Sequence, residues 1–261
     1  MAKTLPVWLV CFLCLASDLR AEEPAAVAPE KASALFNGRD LVGWYPWMKG
    51  AGKADPAKAF TVREGVIRVS GEGAGYLATK QAYRDYNLSL EFKWGEKNDG
   101  SGNVRNSGLL LNCVEPDGAA GAWPTCIECQ LAQGCEGDLI VIRGKGASAS
   151  LSSETTLASD KKTRWSPGGK KTPYSGKQFW WSKHQPGFEE KLDTRGKDDL
   201  ASPLGKWTKV EVLQRPGKLT IKINGEIVNE AYDVVPPVGR IALQNEENEI
   251  LFRNIEIKPL P

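Results

Sequence analysis

The chain has 261 residues, with 34 Lys plus Arg set against 32 Asp plus Glu and a single histidine. Charges of both signs are scattered rather than gathered, so neither nucleic acid nor an anionic membrane surface is suggested as a partner. One histidine excludes a zinc centre built on several of them.

From the start of the chain, M-A-K-T-L-P-V-W-L-V-C-F-L-C-L-A-S places one Lys before an apolar run that ends at a polar patch. That is the layout of a signal peptide, read here as residues 1–21. The apolar run from Leu5 to Ala16 is shorter than the roughly 20 residues a membrane span needs, and no later stretch approaches that length. Neither Cys11 nor Cys14 follows the small residue of a lipoprotein signal. The expectation is a secreted or periplasmic protein without a membrane span. Residues 22–33, rich in Ala and Pro, read as a flexible lead-in, and residues 34–261 as a single domain.

Period-2 patterns then dominate: F-T-V-R-E-G-V-I-R-V, Y-N-L-S-L-E-F-K-W, S-G-L-L-L-N-C-V and W-T-K-V-E-V-L predict strands. K-L-T-I-K-I-N-G-E-I-V-N predicts an antiparallel hairpin turning at Asn224-Gly225 through a type I′ turn. R-I-A-L-Q-N-E and I-L-F-R-N-I-E-I-K add two strands joined by a polar turn near Glu247 and Asn248. Between about Lys145 and Ser202 the pattern breaks, and a loop region this long is more often functional than neutral, for instance as one wall of a cleft. No long helical periodicity is present. Many short strands with turns between them predict an all-β sandwich or jelly roll of two antiparallel sheets.

In a strand from Thr125 to Leu131, Cys126, Glu128 and Gln130 share one face, while Ile127, Cys129 and Leu131 share the apolar, core-facing side. With Trp123 nearby, the polar pair makes a row able to meet sugar hydroxyls. The neighbouring strand brings Arg105, Asn106 and Ser107 just before Gly108, where something can approach the backbone closely. Gln244 and Glu246 alternate with Leu243. His184, in W-W-S-K-H-Q-P-G, is able to act as acid or base near neutral pH. After removal of a leader, Cys113, Cys126, Cys129 and Cys135 remain, and their even number in an exported protein predicts disulfides with three possible pairings. Cys126 and Cys129 point to opposite faces, so Cys126 is expected to bond elsewhere, with Cys113 as one partner, or to stay free. A four-thiolate zinc site lacks its second C-x-x-C. A thioredoxin-like dithiol would need a helix start in a βαβ setting.

The segments L-F-N-G-R-D-L-V-G-W, N-S-G-L-L-L, W-P-T-C-I-E-C-Q, G-D-L, I-N-G-E-I-V and P-V-G-R-I-A-L-Q-N-E-E-N-E-I-L-F-R-N-I-E-I-K-P-L, in this order, resemble the 3-keto-disaccharide hydrolase family from Leu35 to Leu260. The resemblance implies a concanavalin-A-like jelly roll that cleaves 3-keto-glycosides by 1,2-elimination, by hydration of the resulting glucal, or by both. It also implies that Glu128 and Gln130 lie on the concave sheet, and that Asn106, Gln244, Glu246 and Arg253 match family positions. Glu247 stands where the family usually has glycine, which puts the local turn in question.

Elimination from a 3-keto sugar needs a base for the acidified C2 proton, an acid for the leaving oxygen, and an electropositive partner for the C3 oxygen. A preorganised donor or a divalent cation would serve as the last. On this reading Glu128 is a base or metal ligand and His184 a base or acid. Asn106, Gln130 and Arg253 are positioning donors, with an ion-pair role as the alternative for Arg253. A non-catalytic carbohydrate-binding module is the competing reading. An ordinary retaining glucanase is disfavoured, because it needs two carboxylates about 5 to 5.5 Å apart and the same-face neighbours of Glu128 at i ± 4 are Pro124 and Ala132.

Overall fold

The computed structural model describes residues 25–261. The proposed leader therefore lies outside the described residues. The strands in chain order are β1 (Ser33–Ala34), β2 (Trp44–Met48), β3 (Phe60–Arg63), β4 (Val66–Val69), β5 (Ala74–Thr79), β6 (Tyr86–Trp94), β7 (Gly108–Val114), β8 (Thr125–Gln130) and β9 (Leu139–Ile142). They continue with β10 (Ser150–Leu157), β11 (Thr163–Trp165), β12 (Lys170–Pro173), β13 (Thr208–Arg215), β14 (Lys218–Ile223), β15 (Glu226–Val235), β16 (Arg240–Glu246) and β17 (Ile250–Pro259). No helix among the described residues is long and apolar enough to cross a membrane.

The strands make two antiparallel sheets, as a concanavalin-A-like jelly roll requires. The smaller has the order β2-β5-β16-β7-β8-β9. The larger runs β11-β10-β15-β14-β13-β6-β17-β4-β3, with β1 added on β17 and β12 on β10. Alternation sorts the side chains by face. Leu77, Leu109, Leu111, Ile127, Cys129, Leu131 and Leu243 of the small sheet meet Leu88, Leu90, Phe92, Val210, Val212, Ile221 and Phe252 of the large one in the main core. Tyr76, Ala78, Leu110, Cys126 and Ala242 point the other way and form a second, smaller cluster on the outer face of the small sheet. The side chains of Glu128 and Gln130 share this outer face with Cys126.

Several expectations are met in detail. The Asn224-Gly225 turn has both residues at positive φ (47° and 89°), as a type I′ turn demands, and it joins Ile223 to Glu226 in register. Glu247, in the turn after Glu246, adopts φ 60°, a conformation that glycine provides most easily.

Three expectations are corrected. F-T-V-R-E-G-V-I-R-V is a hairpin of β3 and β4 rather than one strand. Glu64 and Gly65 both take positive φ there, and Arg63 pairs with Val66. The stretch read as irregular from Lys145 contains β10, β11 and β12, which extend the large sheet. Its strand character is hidden because Ser and Thr occupy both faces of S-L-S-S-E-T-T-L, leaving no apolar alternation to detect. The flexible lead-in is docked from Ala25 onward: Val27 bridges Tyr83, Gln81 Nε2 donates to Ala25 O at 2.7 Å, and Ser33 and Ala34 pair with Ile257 and Glu256. Backbone hydrogen bonds, which composition does not encode, hold it.

Phe92 sits between the sheets at 2 % exposure, edge-on to Trp94 with ring centres 6.0 Å apart. Phe92→Ala is expected to lower unfolding free energy by about 3–5 kcal/mol, read as a shifted denaturant midpoint.

Candidate functional site

On the outer face of the small sheet, Leu110 of β7 stands opposite Glu128 of β8, and Gly108 stands opposite Gln130. On the other side of β7, Leu110 faces Ala242 of β16, which continues to Gln244 and Glu246. Glu128 and Gln244 therefore flank Gly108 from its two neighbouring strands. Because position 108 has no side chain, Glu128 reaches into the space above it. A Cβ added there would lie 2.5 Å from Glu128 Oε1 and 2.9 Å from Gln244 Oε1. Gln244 is 2 % exposed, and its Oε1 has no hydrogen-bond partner among the described residues.

Asn106, at the foot of β7, donates from Nδ2 to Glu246 Oε2 at 2.9 Å, while its own Oδ1 is buried and unpaired. Ser107 Oγ donates to the Gln244 carbonyl at 3.1 Å and locks the junction. Two carboxyls thus share one face. Glu128 is 5 % exposed, and burial first, then the Glu246 charge, pushes its pKa up to about 8. Glu246 is also raised, by burial and then by Glu247. Of two interacting carboxyls the less solvated holds its proton more readily, and Glu128 is the more deeply buried of the two.

Beside these groups opens a cleft of about 470 Å³ lined by Asn106, Gln130, Gln178, Trp180 and Glu190 among others. Gln130 Oε1 accepts the backbone N–H groups of Leu131 and Ala132 at 2.8 and 2.9 Å, so its NH2 end is left for the cleft. Asp138, wholly buried, accepts from Gln178 Nε2 at 2.6 Å and from the Trp181 N–H at 2.7 Å, tying the long loop to the β8–β9 turn. Burial raises this carboxyl, opposed by those two hydrogen bonds and by Arg164 and Lys162. Next to Asn106 in sequence, buried Arg105 pairs with Asp193 at 2.8 Å and donates to the carbonyls of Gly95 and Lys97. At the far end of the face Trp47 stacks on Tyr76 at 5.6 Å, and Tyr45 and Tyr76 both donate to Asp117 Oδ1. Trp123 packs against the same cluster.

The structure therefore brings together Glu128, Gln130, Asn106, Gln244 and Glu246, with Trp123 on the same face. It does not bring His184 or Arg253 to them. His184 is 4 % exposed in a separate cluster, its ring against Trp180 and Phe188 and its Nδ1 2.9 Å from Gly134 O. Burial depresses it to about 4, and it is not among the cleft-lining residues. Its expected acid-base role is replaced by packing under the loop. Arg253 lies on the large sheet, bonded to Glu91 at 2.6 Å and 4.0 Å over Trp207, which is the ion-pair alternative.

The disulfide expectation is not met either: Cys113, Cys126, Cys129 and Cys135 are all free thiols. Cys129 faces the main core, Cys126 the outer cluster, and Cys135 packs with Val104 and Ala132. A bulge at Asn112, with φ 54°, turns Cys113 to the Cys126 side. Among the described residues no three His, Cys, Asp or Glu side chains are grouped as metal ligands.

Tyr45, Trp47, Tyr76, Asp138 and Gln178 were not singled out from sequence. W-Y-P-W, with aromatics at alternate positions, was the available signal for the first two. Asp138 lies in the segment G-D-L that carries part of the family resemblance, and Gln178 has no local pattern.

The model of the 3-keto-alpha-glucoside-1,2-lyase-like domain matches residues 31–258. Among solved structures, a putative glycosyl hydrolase from Parabacteroides distasonis is similar at 20 % identity and a TM-score of 0.53, over 89 % of this chain and 95 % of that one. A carbohydrate binding module, CBM66 from Bacillus subtilis, aligns at 10 % identity and TM-score 0.49 over 83 % and 95 % of the two chains. A beta-glucanase from Bacillus licheniformis aligns at 9 % and 0.45 over 87 % and 97 %. At these identities the likeness is one of fold. No curated protein matches by sequence.

Two expectations follow from the geometry. Gly108→Ala leaves the strand intact, since residue 108 is not at positive φ and the crowded atoms are ends of flexible side chains. It displaces the Glu128 carboxyl, so sugar turnover should fall at least about tenfold with an unchanged melting temperature. The second concerns pH. The raised Glu128 carboxyl favours the folded state fully below its ordinary value of 4.5 and ceases to do so as pH rises toward 8. Glu128→Gln, which cannot ionise, should therefore match wild type near pH 4 and melt higher than wild type at pH 9, by at least about 3 °C.

Proposed function

Because the chain belongs to the 3-keto-alpha-glucoside-1,2-lyase-like family, we propose that this carbohydrate-active protein cleaves 3-keto-glycosides by 1,2-elimination, with Glu246 as base and Glu128 as acid. The observation that carries the reading is a buried carboxyl, Glu128, set in the gap above Gly108, with a second and less buried carboxyl, Glu246, on the same face and near enough for its charge to raise the first. The ketone at C3 acidifies the C2 proton. Glu246, steadied by Asn106 Nδ2, removes it, and the electron pair moves to the C3 oxygen as an enediolate. That pair then returns to form C1=C2 as the C1–O1 bond breaks, C3=O is restored, and O1 takes the proton of Glu128. The products are a 3-keto-2-hydroxy-glucal and a free alcohol or sugar, and addition of water to the glucal completes net hydrolysis.

The parts of the site divide the work. Burial keeps Glu128 protonated near neutral pH, as an acid must be, and excludes water from the enediolate. The amides of Gln244 and Asn106 are polar groups with unpaired oxygens, held where an incoming hydroxyl can satisfy them. Trp47, Tyr76 and Trp123 extend the face with aromatic surface of the kind that packs on pyranose rings.

Incubation with a 3-keto-glucoside in D2O, followed by NMR, separates the two roles. Glu128→Gln is expected to retain deuterium exchange at C2 while product formation falls by about 10²–10⁴. Glu246→Gln is expected to lose both. Saturable sugar binding by wild type without product would favour a binding module instead, and full turnover by both variants would overturn the assignment.

A further inference from the structure

We propose that Gln178, oriented by Asp138, determines specificity by accepting a hydrogen bond from a hydroxyl of the leaving group; this rests on the elimination reading above. Asp138 is fully buried, and both its oxygens are taken by N–H donors: the Trp181 backbone on Oδ1 and the Gln178 amide on Oδ2. The Trp181 N–H cannot accept, so Oδ1 is an acceptor, and in the 2.6 Å contact it is Nε2 of the Gln178 amide that faces Oδ2. The opposite end, Oε1, has no hydrogen-bond partner among the described residues, and Gln178 is one of the side chains lining the 470 Å³ cleft.

Gln130 is fixed in the complementary sense. Two backbone N–H groups hold its Oε1, which leaves its NH2 as the free end at the same cleft. One committed acceptor and one committed donor suit a hydroxyl, which both gives and takes a hydrogen bond. They offer nothing to a methyl or an aryl group in the same place.

The position on the small sheet connects this pair to the departing side of the substrate. O1 must lie at the acid, Glu128, on β8. Gln130 follows two residues along the same face of β8. Asp138 sits in the turn that closes β8 onto β9, where its carbonyl accepts the Gln130 N–H at 2.9 Å and Gly137 N–H reaches back to Gln130 O at 2.8 Å. Gln178 is thus anchored at the β8–β9 side of the small sheet, across β7 from Glu246 on β16, in the cleft it shares with Gln130 and Asn106. Phe179, its neighbour, exchanges backbone hydrogen bonds with Leu139 at 3.0 and 3.2 Å, so the anchored residue rides on sheet rather than on a free loop.

The test compares steady-state kinetics on a 3-keto-disaccharide and on the methyl 3-keto-glucoside of the same anomer. Gln178→Leu is expected to raise KM for the disaccharide about three- to tenfold with kcat nearly unchanged, and to leave the methyl glycoside unaffected. Gln178→Glu alone sets two carboxylates against each other and should lose the same discrimination. Asp138→Asn combined with Gln178→Glu restores it. In that double variant the introduced amide still accepts the Trp181 N–H through its oxygen, while its NH2 donates to one oxygen of the introduced carboxylate, whose other oxygen faces the cleft. Equal KM changes on both substrates, no change on either, or a double variant no better than Gln178→Glu would overturn the proposal. If wild type turns over neither substrate, it is the elimination reading that fails, and this inference falls with it.

Discussion

The site depends on a missing side chain. Glu128 and Gln244 come from strands that are not neighbours, with β7 between them, and a residue with a Cβ at position 108 would occupy the space where their oxygens lie. Strand spacing near 4.8 Å keeps such groups apart across an intervening strand unless that strand offers a gap. Gly108 is that gap. The same spacing explains why the second carboxyl, Glu246, is reached through Asn106, a side chain from β7's own lead-in that spans the remaining distance.

Beside this gap, buried polar anchors fasten the loops in addition to the apolar packing of Val104, Ala132, Cys135 and Trp180. Arg105 binds three elements at once: the carbonyls at 95 and 97 and the Asp193 carboxylate. Asp138 fastens the segment at 178–181 to the catalytic strand. A buried charge with all its partners in place tolerates no partial rearrangement, because any lost partner leaves it unsolvated. Loops that lack a hydrophobic core of their own can be held to fixed positions in this way, as a cleft beside acid-base groups requires.

Much of this was legible from alternation. Thr125 to Leu131 encodes its two faces directly, so the separation of Cys126 from Cys129 and the exposure of Glu128 and Gln130 to one side follow from period 2 alone. The strands whose both faces are polar, as at Ser150–Leu157, leave no such trace. Long-range partners leave none either: the match of Arg105 to Asp193, or of Asp138 to Gln178, is a property of the folded loops. His184 misled for a related reason. Its chemistry is legible in its identity, but its burial against Trp180 and Phe188, which depresses it far below its working range, is decided by residues around it in space.

The arrangement also bears on which glycoside chemistry the face suits. A retaining hydrolase sets an ionised nucleophile under the anomeric carbon and an acid beside it. Here the more buried carboxyl, Glu128, stands in mid-strand on β8 while Glu246 ends β16, and burial suppresses the ionised form of Glu128, which is the form a nucleophile needs. Its immediate companion is an amide, Gln244, rather than a second carboxylate. An elimination asks less of this pair: it needs a proton held in reserve at one oxygen and a base set further along the same face, with the ring between them. The bulk of the sandwich removes water from Glu128, and that burial is the first cause of its raised affinity for a proton.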